Sequence, residues 1–136
     1  MTHHLLALLP LLAACGDGLL GGADVTAGEC EGSPYEKSLD TGAPAEPDIW
    51  AEADGSDILL HLDDLNANCC PDPSADVTRD DFDLTVEFED VKSGYGCDCM
   101  CITDFLVEIG DNDPGTYTID VVYGGEDLAS TTVDVT

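Results

Sequence analysis

A chain of 136 residues with 30 acidic and 3 basic side chains carries a formal net charge of -27, while 43% of it is hydrophobic. That length allows one small domain with a modest core. A surface this negative repels nucleic acid and excludes a nucleic-acid-binding role. The acids are spread along the chain, at solvent-facing strand positions and in turns such as Asp80, Asp81, Asp83, Glu87 and Glu89. They read as a solvated, self-repelling surface, with cation binding as the sharper alternative.

The N-terminus begins Met1-Thr2-His3-His4 and then runs almost wholly apolar from Leu5 to Ala14. The run is too short to cross a bilayer as a permanent helix and has the length of a signal-peptide apolar region. Its end, Leu12-Ala13-Ala14-Cys15, resembles the lipobox of bacterial lipoproteins. The resemblance implies cleavage before Cys15, a diacylglyceryl group on its thiol and a further acyl chain on its new amino end. Two or more chains anchor a protein stably. Residues 1–14 are therefore expected to be a lipoprotein signal peptide and Cys15 the lipidation site. The expected location is the cell envelope, on the outer membrane.

Residues 15–47 follow as an expected flexible tether, rich in Gly, Ala, Asp, Glu and Pro and without apolar period. A chain of that length and composition spans on the order of 30 Å. Cys30 interrupts it, which suggests that part of the tether is pinned to the domain.

From Asp48 to Thr136 the period becomes two, the signature of strands with one buried face. A weak strand around Ile49 and Trp50 precedes the Asp54-Gly55 turn, with Trp50 a candidate core aromatic. Ile58, Leu60 and Leu62 alternate with Leu59, His61 and Asp63; Phe82, Leu84, Val86 and Phe88 alternate with Asp83, Thr85, Glu87 and Glu89. Phe105, Val107 and Ile109 lead to the turn chemistry of Asp111-Asn112-Asp113-Pro114-Gly115. Tyr117, Ile119, Val121 and Tyr123 precede a Gly124-Gly125 turn, and Val133 and Val135 close the chain. No helical period appears in the mature chain, so the expected fold is all-β, an antiparallel immunoglobulin-like β-sandwich.

Cys30, Cys69, Cys70, Cys97, Cys99 and Cys101 remain after Cys15 is set aside. An even number in an exported small domain points to disulfides. Cys97, Cys99 and Cys101 fall at i, i+2 and i+4, which on a strand is one face. Bridges within that trio, or between adjacent Cys69 and Cys70, are strained. Each of the trio then joins one of Cys30, Cys69 and Cys70, which leaves several pairings open. The functional alternative is a thiolate site for copper or zinc built from Cys69, Cys70, Cys97, Cys99 and Cys101. Its spacing is not that of a zinc finger, and the oxidising destination favours bridges. No metal and no cofactor is therefore expected.

The order Asn68-Cys69-Cys70-Pro71, Cys97-Asp98-Cys99-Met100-Cys101-Ile102-Thr103-Asp104 and Gly115-Thr116-Tyr117-Thr118-Ile119 resembles small envelope lipoproteins of uncharacterised function. The resemblance implies fold and location only.

Other constellations are weak. Asp111 to Gly115 fails as an EF-hand, because Gly115 occupies a ligand position and no Glu follows at the required distance. Asp63-Asp64 and Asp80-Asp81 could join in a calcium site across loops only if folding brought them together. A Ser or Cys triad would have to use His61, the one histidine of the mature chain, and no nucleophile signature surrounds any Ser. The expected function is a non-catalytic binding or structural module with an unknown protein or glycan partner.

Overall fold

The computed structural model describes residues 18–33 and 46–136. The expected signal peptide, Cys15 and part of the spacer lie outside these residues. Eight strands make up the described elements: β1 (Gly18–Ala27), β2 (Asp48–Asp54), β3 (Asp57–Asn68), β4 (Ser74–Asp80), β5 (Asp83–Glu89), β6 (Met100–Ile109), β7 (Gly115–Tyr123) and β8 (Glu126–Val135). The chain is all-β over this range, and no helix among the described residues is long and apolar enough to cross a membrane.

The strands form one sheet in the order β2-β3-β6-β1-β4-β5-β7-β8. Its end strands, β2 and β8, lie beside each other, so the sheet curls into a nearly closed barrel. All neighbours are antiparallel except β5 and β7, which run parallel from Asp83↔Thr118 to Phe88↔Tyr123. The wholly antiparallel expectation is corrected to a mixed sheet. β6 and its preceding loop lie between β5 and β7 in sequence, and such a long excursion permits a parallel return.

The alternating apolar positions line the inside. Ile58, Leu60 and Leu62 of β3, Leu84, Val86 and Phe88 of β5, Phe105, Val107 and Ile109 of β6, and Tyr117, Ile119 and Val121 of β7 are all buried. Phe88 and Phe105 meet edge to face across the interior at 4.9 Å. Each fully buried side chain of this size contributes about 1.5–3 kcal/mol.

Gly18–Ala27 is a strand, in a span expected to be flexible. Gly and Ala give it little intrinsic strand preference, but it lies between two partners. Gly18 to Ala23 pair with β4, and Asp24 to Ala27 pair with β6. β1 thus joins the two halves of the sheet, and Ala23, Val25 and Ala27 pack against the core.

Two aromatic placements also differ from expectation. Trp50 is 37% exposed on the outer face of β2, because its indole N–H needs a polar partner that the apolar interior lacks. Phe82 sits in the turn before β5 and is 39% exposed. There it packs edge-on against Tyr117, with ring centroids 5.1 Å apart.

Gly115 underlies that turn. Its φ is +155°, and a Cβ there would overlap the Phe82 ring. Gly115→Ala is expected to destabilise the protein by about 1–2 kcal/mol through overpacking. In a double-mutant cycle read by urea denaturation, Phe82→Ala should recover part of that loss.

Candidate functional site

The site of interest is built where β3 ends and β6 begins. The start of β6 is flanked on both sides. Ala67 and Asn68 pair with Cys101 and Met100 on one side. On the other, the segment after β1 continues the ladder: Gly28 N–H donates to the Asp104 carbonyl at 2.7 Å, Glu31 N–H to Ile102 at 2.8 Å, and Ile102 N–H to Gly32 at 3.0 Å. Cys30 therefore lies against the strand that carries Cys101.

Three disulfides close this end: Cys30–Cys101, Cys69–Cys99 and Cys70–Cys97, with Cα separations of 5.6, 5.6 and 5.4 Å. All lie within the usual range for a bridge. Every member of the 97/99/101 trio pairs outside the trio, and one of the open pairings is selected. The expectation that the trio shares one strand face is corrected. Only Cys101 belongs to β6, where it is fully buried; Cys97 and Cys99 are exposed in the segment before it. The reason is local. Gly94 and Gly96 break the strand, and Cys69-Cys70 bend away from β6 after Asn68, so the ladder continues only through Cys69 N–H to the Cys99 carbonyl at 3.2 Å.

Asn68 holds this corner, a role that sequence reading missed. Its Oδ1 accepts from Cys70 N–H at 2.9 Å and Cys97 N–H at 3.0 Å, while its Nδ2 donates to the Cys97 carbonyl at 2.8 Å. Its own N–H donates to Asp90 Oδ2 at 2.7 Å. A Cβ at Gly96 would overlap the Asn68 side chain, so the loop needs glycine there. An Asn that immediately precedes paired cysteines was the available signal, since Asx side chains bond the backbone two residues on. Beside Asp90, Tyr123 is half-buried, and burial first and the Asp90 charge second hold its phenol well above its ordinary range. It remains a neutral donor, bonded to the Asn66 carbonyl at 3.3 Å.

The sulfurs of Cys69, Cys70 and Cys97 lie within 4.8 Å of one another. Each is committed to a disulfide, and a disulfide sulfur is not the thiolate that copper or zinc requires.

Next to the bridges, β3 carries a bulge between Leu62 and Leu65, with Asp64 at φ +56°. The extra residue explains why the buried positions change from 58, 60 and 62 to 65 and 67. That parity change is visible in the sequence. The bulge turns Asp64 toward β6, where its N–H donates to Asp104 Oδ1 at 2.8 Å. The carboxylates of Glu31, Asp64 and Asp104 gather with oxygens within 4.8 Å of one another. Asp64 is thus joined to Asp104 and Glu31, whereas Asp63 is not part of the group and Asp80 and Asp81 lie at the β4–β5 turn.

Two further sequence candidates resolve into other roles. Asn112, in the loop that resembles a calcium-loop opening, is buried and ties three chain segments together. Its Nδ2 donates to the carbonyls of Ile109 at 2.7 Å and Ser56 at 2.9 Å, and its Oδ1 accepts from Arg79 at 2.5 Å. His61 faces outward beside Glu52, Nε2 to Oε1 3.1 Å. Its ring lies flat on Trp50, with centroids 3.7 Å apart and an interplanar angle of 1°.

The chain matches no protein-family model, no curated protein and no solved structure.

Proposed function

We propose that this chain is a lipid-anchored protein of the cell envelope that works without catalysis, as a binding or structural module. The observation that supports this reading is the closure of three disulfides by the six cysteines that follow Cys15. Such bridges persist in exported proteins and are rare in a reducing cytosol. The apolar run from Leu5 and the sequence Leu12-Ala13-Ala14-Cys15 supply the export route and the anchor, with the outer membrane as destination. The finer architecture we assign is an immunoglobulin-like sandwich, its two faces joined through β1. The partner is a protein or a glycan.

The test is an intact-mass measurement on protein extracted from membranes, natively and after denaturation with a thiol alkylator. The expected result is an acylated Cys15 at the N-terminus, a mass lowered by a pair of hydrogens for each bridge, no alkylation and no metal. Alkylated thiols together with a bound copper or zinc ion would overturn this reading and establish the thiolate alternative. Cys15→Ala should abolish lipidation and release the protein from membranes. If that variant still partitioned as a mature lipoprotein, the anchor would be misplaced.

A further inference from the structure

We infer that the outer face of β2, β3, β6 and β1 is a docking surface for a basic peptide segment of a partner, with Trp50 as its anchor. Cross-strand register builds this face in rows. Trp50, His61, Leu106 and Thr26 lie opposite one another in succession, forming one row across four strands. The row beside it contains Glu52, Leu59, Glu108 and Asp24. On the other flank Asp48 pairs with Asp63, close to the bulge that meets Asp104. A short apolar and aromatic strip is thereby bordered by carboxylates on both sides. The four strands contain no Lys or Arg, so the face has no cationic side chain of its own besides His61 when protonated.

Trp50 is held in place before anything binds. Its Nε1–H donates to Asp63 Oδ2 at 2.7 Å, one ring face stacks on His61, and the imidazole is in turn held by Glu52. The indole is nevertheless 37% exposed. A large aromatic that is both exposed and fixed has already lost its rotamer freedom in folding, which lowers the cost of docking onto it. Indole is the best aromatic partner for a cation. The carboxylates of Asp63 and Glu52 that steady the rings keep further lone pairs, and these suit a guanidinium. Half-buried Leu59 and Leu106 offer apolar surface to its aliphatic stem.

Charge selects the partner. A neutral glycan would leave both acidic borders uncompensated, and an acidic partner would be repelled, whereas a basic segment neutralises them. This proposal rests on the reading of the chain as a binding module and not on its anchor, so its failure leaves the mass measurement untouched.

The experiment titrates the detergent-solubilised full-length protein with tetra-arginine amide, followed by calorimetry and by the emission of Trp50, the single tryptophan. Saturable one-to-one binding that shifts this emission is expected. Trp50→Ala should weaken it about fivefold or more. Trp50→Phe should weaken it less, and Asp63→Asn and Glu52→Gln should each weaken it measurably. Glu87→Gln and Asp120→Asn, exposed on β5 and β7 away from this face, should leave it unchanged. If those remote variants weaken binding as much as Asp63→Asn does, the peptide is only attracted to the chain's net charge and the docking surface does not exist. Unshifted emission, or a shift produced by chitotetraose but not by tetra-arginine, would equally overturn the proposal.

Discussion

Replacing Cys30 and Cys101 together by alanine is expected to lower the free energy of unfolding by about 4 kcal/mol, the value chain entropy assigns to a bridge closing a loop of this length. The two cysteines are 71 residues apart in sequence, against 30 and 27 for the other bridges. Removal of this bridge therefore frees the unfolded chain most. It also releases the segment after β1 from the edge of β6. The measurement is urea denaturation of the oxidised protein, with hydrogen exchange as the local readout. The Ile102 amide, which donates to Gly32, should exchange faster, while amides in the β7–β8 hairpin should change only with global stability. A loss below about 1 kcal/mol would mean that β1 is held by its ladders alone and that the bridge constrains little.

Asn112→Ala is expected to cost about 3 kcal/mol, because a buried side chain that makes three hydrogen bonds is lost while only its backbone N–H to the Ser56 carbonyl remains. The Ile109 and Ser56 carbonyls lose a donor, and Arg79 loses its acceptor. The Arg79 guanidinium lies 5.7 Å from the centre of the Tyr117 ring, and its Nε is buried without a partner. Deleting Asn112 leaves that cation with one contact fewer in a poorly solvated place, which is the costly way to break such an interaction. Arg79→Leu should therefore soften the loss, so that the double variant is more stable than the sum of the single effects predicts. Strictly additive losses, read from denaturation midpoints at constant slope, would show that the two side chains are not coupled. The loop that carries Asn112 is thus a structural tie between the β2–β3 turn, the end of β6 and β4.

The placement of Asn112 also shows where sequence reading stops. Asp111 to Gly115 announces a turn through its composition, and a turn is what it forms. That Asn112 is buried there depends on Ser56 and Arg79, which lie 56 and 33 positions away. The same holds at the disulfide end. Spacing argues against bridges within the 97/99/101 trio only on the premise of a shared strand face, and Cys97 and Cys99 lie outside β6. Spacing does not choose among partners, which depends on β6 being flanked by β3 on one side and the segment after β1 on the other. Trp50 and His61 are each ordinary in the sequence, eleven positions apart, and become a stacked pair only through the β2–β3 register.

By itself the sequence determined the all-β class, the buried face of most strands and the turns between them. These follow from local physics: successive side chains on a strand point to opposite sides, and glycine and Asx residues accept turn geometry at low cost. Only the tertiary structure decided that Gly18–Ala27 is a strand, that β5 and β7 run parallel, which cysteines meet, and that three carboxylates gather at the bulge in β3. Those outcomes depend on pairing between distant segments. β1 acquires its structure from the hydrogen bonds of β4 and β6 on either side, because the side chains it packs against the core, Ala23, Val25 and Ala27, carry too little apolar surface to announce it.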